Sequence, residues 1–172
     1  MYIHVCPLSK LERTVTNVNP ARLVSLVRLV PEVPSPPNMA AEHHLRLPFH
    51  DIAEPREGYV MPGTDHVERL LAFANSWDRS APMLLHCFAG ISRSTAAAYV
   101  IACALQPRRS EAEIADELRH ASPTATPNPR LVAIADAMLM RDGRMNAAII
   151  AIGRGAEAAE GVPFKLKLLA EE

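Results

Sequence analysis

Residues 86–94 read His-Cys-Phe-Ala-Gly-Ile-Ser-Arg-Ser and set a cysteine six positions before an arginine. A cysteine thiolate is a strong nucleophile, and an arginine can offer two parallel N–H donors to two oxygens of a phosphoryl group. Gly90, which has no Cβ, lets the chain between them curl and approach a ligand closely. The residue types therefore predict that Cys87 attacks a phosphorus atom held by Arg93.

The backbone from Cys87 to Arg93, called the phosphate loop below, is expected to bind the phosphoryl oxygens. Its N–H groups can converge as a nest, and the positive end of the helix that follows faces the same point. The same groups stabilise negative charge on sulfur, so we expect Cys87 to be a thiolate at neutral pH. The expected phosphate-binding residues are Phe88, Ala89, Gly90, Ile91, Ser92 and Arg93.

Two residues flank this loop with supporting roles. Ser94 is placed to donate a hydrogen bond to the sulfur when the thiolate must leave a phospho-enzyme. His86 is expected to orient the loop through backbone hydrogen bonds rather than to touch substrate. Both are therefore part of the predicted site, Ser94 as a catalytic residue and His86 as structural support.

The motif lies between a predicted strand and a predicted helix in an α/β pattern. Residues 81–85 form a short apolar run, typical of a buried strand, and residues 95–105 are alanine-rich and predict a helix. The four prolines of 31–37 predict a loop. Further strands are predicted at 2–6, 23–30 and 44–49, and helices at 8–18, 64–77, 110–120, 128–139 and 145–152.

The stretch 86–94 resembles the active-site loop of the cysteine-dependent protein tyrosine phosphatases, most closely their dual-specificity branch. Thr126-Pro127-Asn128-Pro129 is similar to the Ser-Pro-Asn segment before the last core helix of that branch, with Asn128 as N-cap and support of the loop. Ser110 and Glu113 predict a capping box before the preceding helix. The likeness spans about residues 24–139. It implies a compact, bacterial-type member with a central, mostly parallel sheet flanked by helices.

The resemblance also implies a general acid that protonates the leaving oxygen. The segment 44–49 is an alternating strand that ends at His50-Asp51, the position of the family's aspartate, so Asp51 is the candidate. Asp51 precedes Cys87 by 36 positions (87 − 51), a longer interval than in compact relatives. Glu54 and Glu57 are rival acids, and a third reading is that Asp51 only caps a turn.

Length and composition predict one domain. A chain of 172 residues with 49% hydrophobic residues can build a single core. We expect that domain to span 1–172, with a core at about 20–142 and a C-terminal helix and tail at 143–172. The sequence leaves the oligomeric state open.

Charge and cysteine usage narrow the partners. The net charge of −1 gives no general signal for nucleic acid or a membrane surface. No long apolar run or secretory signal is present, and three cysteines suit a reducing compartment, so the cytoplasm is the expected location. The histidine and cysteine spacing lacks paired zinc ligands, so we expect no metal and no cofactor.

Substrate and activity leave two hypotheses. Because the residues between Cys87 and Arg93 are uncharged, they favour a singly phosphorylated protein or peptide over a ligand with several phosphates. The first hypothesis is a phosphatase that works through a phosphocysteine, on phosphotyrosine foremost and on phosphoserine and phosphothreonine as further candidates. The alternative is a phosphoprotein-binding module that kept the loop and lost turnover.

Overall fold

The computed structural model describes residues 1–169, in which five strands form one sheet in the order β3-β2-β4-β1-β5. The four strands β1 to β4 run parallel, and β5 lies antiparallel to β1 at one edge. The predicted α/β class with a mostly parallel sheet is confirmed. The strands are β1 Tyr2–Pro7, β2 Arg22–Ser25, β3 His44–Arg46, β4 Met83–Cys87 and β5 Phe164–Lys167.

Helices cover both faces of this sheet. One face packs on the first helix, where Leu11 and Val15 contact buried Cys6, Leu23 and Leu84. The other face packs on the remaining helices, which share the main core with the sheet. The helices are α1 Leu11–Val18, α2 Thr64–Asn75, α3 Arg93–Leu105, α4 Glu111–Ala121, α5 Pro129–Met138 and α6 Arg144–Ile152.

The centre of the fold places the motif at the carboxyl edge of the sheet. All five residues of β4 are buried, and the strand ends at Cys87, opposite Pro7 of β1. Nearly all of α3 is buried as well, because its run of alanines lets it pack closely against its neighbours. Ligands of open parallel sheets bind at this edge, so the fold presents the loop between β4 and α3 where a ligand can reach it.

Two predicted strands are shorter than expected. β2 ends at Ser25, although the N–H of Leu26 still bonds to the carbonyl of His86 at 2.9 Å. The chain then leaves the sheet toward the proline-rich segment, and Val30 is 97% exposed. β3 ends at Arg46, just before Pro48, which has no N–H to continue a ladder.

The predicted capping box at Ser110 is wrong. The Ser110 side chain makes no capping hydrogen bond at the start of α4. The next residue, Glu111, is buried and instead accepts hydrogen bonds from Arg141, at 3.0 Å, and Arg144, at 3.3 Å. These ion pairs from the α5–α6 region hold the start of α4 by tertiary contacts rather than by a local cap.

The tail returns to the sheet. β5 pairs with β1 from Tyr2 to Val5, and both strands lie outside the 20–142 range assigned to the core from sequence. The core therefore extends toward both ends of the described chain. Within residues 1–169, none of the helices combines the length and apolar character that crossing a membrane requires.

Candidate active site

The sulfur of Cys87 lies at the floor of the phosphate loop with two polar neighbours. The Gly90 N–H donates to Sγ at 3.3 Å, and the Ser94 hydroxyl lies 3.1 Å from the same atom. Both Cys87 and Ser94 are buried. A backbone donor and a hydroxyl on one sulfur stabilise a thiolate, which is what a nucleophile and later a leaving group needs.

Four carbonyls of the loop are tied to the surrounding protein. Peptide planarity makes each N–H point opposite to the carbonyl of the preceding residue. Holding the carbonyls outward therefore turns the N–H groups of the next residues toward the concave side, where Gly90 already donates to sulfur. The donors are Leu8 to Phe88 at 3.1 Å, Gly161 to Ala89 at 2.8 Å, Thr126 to Ile91 at 2.9 Å and Asn128 to Ser92 at 3.3 Å.

Gly90 is required by both its conformation and its surroundings. Its φ is +70°, in the left-handed region that side chains disfavour. A Cβ at this position would lie 2.7 Å from the backbone nitrogen of Pro7 and 3.0 Å from the carbonyl carbon of Cys6. The loop thus rests directly on the end of β1, and glycine permits that approach.

Arg93 is held in place from the segment that follows β3. Its Nη1 donates to the carbonyl of Phe49 at 3.0 Å, and its Nε lies 3.8 Å from Oδ2 of Asp51. Arg93 as a residue is only 8% exposed, and its buried Nε has no hydrogen bond. A buried guanidinium with an unused donor is well suited to receive an oxyanion in the loop.

Asp51 sits against the phosphate loop and the start of α5. Its Oδ1 accepts a hydrogen bond from the Ser92 hydroxyl at 2.7 Å and another from Nδ2 of Asn128 at 2.9 Å. Asn128 also caps α5, because its Oδ1 accepts from the N–H groups of Arg130 and Leu131, both at 3.1 Å. Asn128 therefore connects the candidate acid, the loop and the last core helix.

His86 is fully buried beneath the loop, and its Nε2 lies 2.6 Å from the hydroxyl of Ser25. Ser25 in turn contacts Nε2 of His44 at 2.7 Å. Burial lowers the pKa of His86 to about 4 and that of His44 to about 4, since desolvation disfavours the charged ring. Both rings are therefore neutral at pH 7.

The two other cysteines differ from Cys87 in their surroundings. Burial raises the pKa of Cys6 to about 11 and that of Cys103 to about 12. Each is a protonated thiol at neutral pH, and all three cysteines are free. The environment of Cys103 is that of a small buried apolar residue.

Comparison with known proteins identifies the fold. DUSP15 superposes with a TM-score of 0.58 at 18% identity, over 90% of this chain and 92% of its own. The chain has the fold of the dual-specificity phosphatases. A mouse putative dual specificity phosphatase complexed with zinc tungstate gives a TM-score of 0.56 at 20% identity, over 79% of each chain. Cydia pomonella PTP-2 phosphatase gives 0.55 at 19% identity, over 77% of this chain and 83% of its own.

No family model matches the sequence, and no curated protein sequence matches it. The likeness to the dual-specificity phosphatase fold therefore rests on backbone geometry. The roles of the site residues therefore depend on their own contacts in this structure.

The structure brings the predicted residues of the phosphatase-fold site together around one loop. Of the three candidate acids, Asp51 contacts the phosphate loop through its hydrogen bond with Ser92. Glu54 and Glu57 are exposed. A cleft of about 320 Å³ opens beside Asp51 and Ser92, and Phe88 is 64% exposed at the loop surface.

Several supports of the loop were missed in the sequence. The carbonyl of Phe49 and the N–H groups of Leu8 and Gly161 are backbone groups, which leave no signature in residue type. Gly161 is the one support whose residue type matters, since a Cβ there would lie 2.9 Å from the carbonyl oxygen of Gly90. A glycine in a polar tail is too common to be singled out without the structure.

Proposed function

We propose that this protein is a phosphatase that hydrolyses phosphomonoesters on proteins or peptides, phosphotyrosine foremost, through a phosphocysteine intermediate. The observation that carries the proposal is the convergence of the Gly90 N–H and the Ser94 hydroxyl on the sulfur of Cys87, with Arg93 at the other end of the same loop. Phosphoserine and phosphothreonine are further substrates to test.

In the first step, the thiolate of Cys87 attacks phosphorus and the bond from phosphorus to the leaving oxygen breaks. Arg93 and the loop N–H groups bind the nonbridging oxygens, on which charge develops. Asp51 gives its proton to the leaving oxygen. Sulfur now carries the phosphoryl group and Asp51 is ionised.

In the second step, Asp51 takes a proton from a water molecule whose oxygen attacks phosphorus. The bond between sulfur and phosphorus breaks, and the electron pair returns to Cys87. The hydroxyl of Ser94, 3.1 Å from sulfur, stabilises the departing thiolate. Inorganic phosphate is released and both residues recover their starting states.

One contact pattern favours the alternative of a binding module. Oδ1 of Asp51 accepts hydrogen bonds from Ser92 and Asn128, and Oδ2 lies 3.8 Å from Nε of Arg93, so both carboxylate oxygens already face groups of the protein. For turnover, the phosphoryl group of the substrate must replace Asp51 as the partner of Arg93, and the leaving oxygen must come within hydrogen-bonding distance of Asp51. A module without that exchange binds phosphate and stops there.

The experiment is the pH dependence of aryl-phosphate hydrolysis by the wild type, Cys87→Ser and Asp51→Asn, with phosphotyrosine and phosphothreonine peptides in parallel. We expect Cys87→Ser to lose turnover and keep phosphate binding, and Asp51→Asn to be slow. Turnover by Cys87→Ser would refute the phosphocysteine step. A wild type that binds vanadate without hydrolysing any substrate would establish the binding module.

The loop residues between Cys87 and Arg93 carry no charged side chain, which supports singly phosphorylated substrates. We also propose a cytoplasmic location, because an unpaired nucleophilic thiolate requires a reducing compartment. Neither a cofactor nor a metal ion takes part in the steps above.

A further inference from the structure

A line of polar side chains leads from the surface to the phosphate loop through the interior. Arg46 Nη2 donates to the hydroxyl of Ser35 at 3.0 Å, and that hydroxyl lies 2.9 Å from Nδ1 of His44. Nε2 of His44 meets Ser25 at 2.7 Å, and Ser25 meets Nε2 of His86 at 2.6 Å. These five residues are called the polar chain below.

One residue of the polar chain, Arg46, can act only as a hydrogen-bond donor. A guanidinium only donates, so Ser35 must accept from Arg46. Arg46 is fixed there by a second bond from its Nε to the carbonyl of Val33 at 3.0 Å, and Glu32 lies 3.6 Å from the same nitrogen. The surface end of the chain is therefore a donor with a fixed direction.

From that end, one order gives every proton between Arg46 and Nε2 of His86 an acceptor within the polar chain. Ser35 donates to Nδ1 of His44, His44 donates from Nε2 to Ser25, and Ser25 donates to Nε2 of His86. Both rings are neutral, so the proton of His86 must then lie on Nδ1.

If every hydrogen bond from His86 to Ser35 ran in the opposite direction, fewer polar groups would have a hydrogen-bond partner. This opposite order would make Ser35 accept from both Arg46 and His44, which leaves the Ser35 proton without an acceptor in the chain. Nδ1 of His86 is buried and makes no hydrogen bond in either order, so it does not separate them. A hydroxyl proton without an acceptor at half-buried Ser35 is costly, so the first order is favoured.

The inner end of the chain agrees with this order. The backbone of Cys87 interacts with the His86 ring in a way that raises the pKa of His86, against the larger lowering by burial. A ring that donates an N–H to the backbone has its protonated form stabilised in this manner. His86 directly precedes Cys87, and this influence of the Cys87 backbone agrees with a proton on Nδ1, although Nδ1 makes no hydrogen bond of ordinary distance and angle.

We propose that Arg46, Ser35, His44 and Ser25 are positioning residues that hold His86 in its Nδ1–H tautomer against the backbone of Cys87. The inference rests on the proposed function for its catalytic meaning. It extends the site to the 31–37 segment, which touches no residue of the phosphate loop in the hydrogen bonds described above. Ser35 acts on Cys87 only through the two histidines.

The first test reads the tautomers and needs no turnover. Long-range proton–nitrogen correlation spectra of the nitrogen-15-labelled protein at pH 7 are expected to show His86 protonated at Nδ1 and His44 at Nε2, both neutral. In Ser35→Ala the direction set by Arg46 is lost, and a second tautomer is expected at His44. An Nε2–H tautomer of His86 in the wild type would overturn the proposal.

The second test compares Ser35→Ala with Ser35→Thr, which keeps the hydroxyl at this half-buried position. The readouts are kcat for aryl phosphate and the rate of Cys87 alkylation by iodoacetate. We expect Ser35→Ala to lower both by about threefold to tenfold with little change in KM, and Ser35→Thr to keep wild-type values. Equal rates in Ser35→Ala and the wild type would overturn the proposal, as would equal losses in the two variants.

The two proposals fail in different ways. An inactive wild type that has the expected tautomers and a slower alkylation rate in Ser35→Ala would refute the phosphatase and retain the polar chain. An active enzyme with the opposite tautomer at His86 would refute the polar chain and retain the phosphatase.

Discussion

Because Gly90 lies directly against the end of β1, we expect Gly90→Ala to lower both the stability of the fold and the rate of catalysis. An alanine at Gly90 adds a Cβ 2.7 Å from the nitrogen of Pro7, whereas ordinary contacts begin at 3.4 Å. The loop must therefore retreat by about 0.7 Å (3.4 − 2.7), since β1 is held between β4 and β5 and cannot yield.

Two terms add to the loss of stability. Placing an alanine in the left-handed region costs about 1–2 kcal/mol, and the overpacking against β1 costs about 1–3 kcal/mol more. Gly143→Ala is the matched control. Gly143 has a φ of +81° and nothing within 4 Å of the added Cβ, so it carries the first term only.

The same shift has a larger effect on function. The Gly90 N–H lies 3.3 Å from Sγ of Cys87, and a retreat of this size weakens that hydrogen bond by lengthening it to at most about 4.0 Å (3.3 + 0.7), near the limit for sulfur. Because a 1 Å misplacement can cost about 100-fold in rate, we expect kcat/KM for aryl phosphate to fall about 10-fold to 100-fold in Gly90→Ala. We expect no change in Gly143→Ala.

The assay pairs urea denaturation of both variants with steady-state kinetics and vanadate binding. The kinetic comparison is made without urea, at a temperature at which both variants are folded. A difference in rate then cannot come from unfolding. Equal losses of stability in the two variants, with kcat/KM of Gly90→Ala within threefold of wild type, would refute the reasoning. The loop would then not depend on its contact with Pro7.

Two further predictions follow from the buried titratable groups. At pH 8 we expect iodoacetamide to modify Cys87 and to spare Cys6 and Cys103, because the raised pKa values of Cys6 and Cys103 keep them protonated. Mass spectrometry of the alkylated peptides checks this. Early labelling of Cys6 or Cys103 would contradict it. The neutral rings of His44 and His86 bind no proton in the folded state between pH 6.5 and about 4, while the unfolded chain does, so stability falls as the pH drops through that window. The loss is about 3 kcal/mol for each ring at most, and imidazole shifts that titrate near pH 6.5 for either ring would contradict it.

The sequence predicted the parts of the site that are local in the chain. The strand before Cys87, the helix from Arg93 and the N-cap at Asn128 each depend on residues within a few positions, and the structure has all three. Asp51, chosen because it follows the predicted strand 44–49, lies against Ser92 despite its long interval to Cys87, and its role as acid stays a prediction.

The parts that the sequence did not predict depend on contacts between distant residues. Ser25 and His86 are 61 positions apart, and neither residue type nor spacing indicates that a serine on β2 meets a histidine on β4. The parallel pairing of the two strands brings Ser25 opposite His86, so the contact exists only once the register is known. The hydrophobic pattern sets the register, and polar residues such as Ser25 and His86 are not part of that pattern.

The arrangement of the loop therefore depends on the whole topology rather than on the motif. Its outward carbonyls are held by Leu8 after β1, Thr126 and Asn128 before α5, and Gly161 before β5. Each donor comes from a segment whose own position is set by the sheet or by the core helices. The N–H groups of an oxyanion site point inward only while the carbonyls of the same loop are held outward, so the surrounding chain must keep the loop in shape. This explains why a residue as far from the motif as Gly161, just before β5, helps to hold the loop, and why we expect a loop of the same sequence outside this fold to lose this conformation.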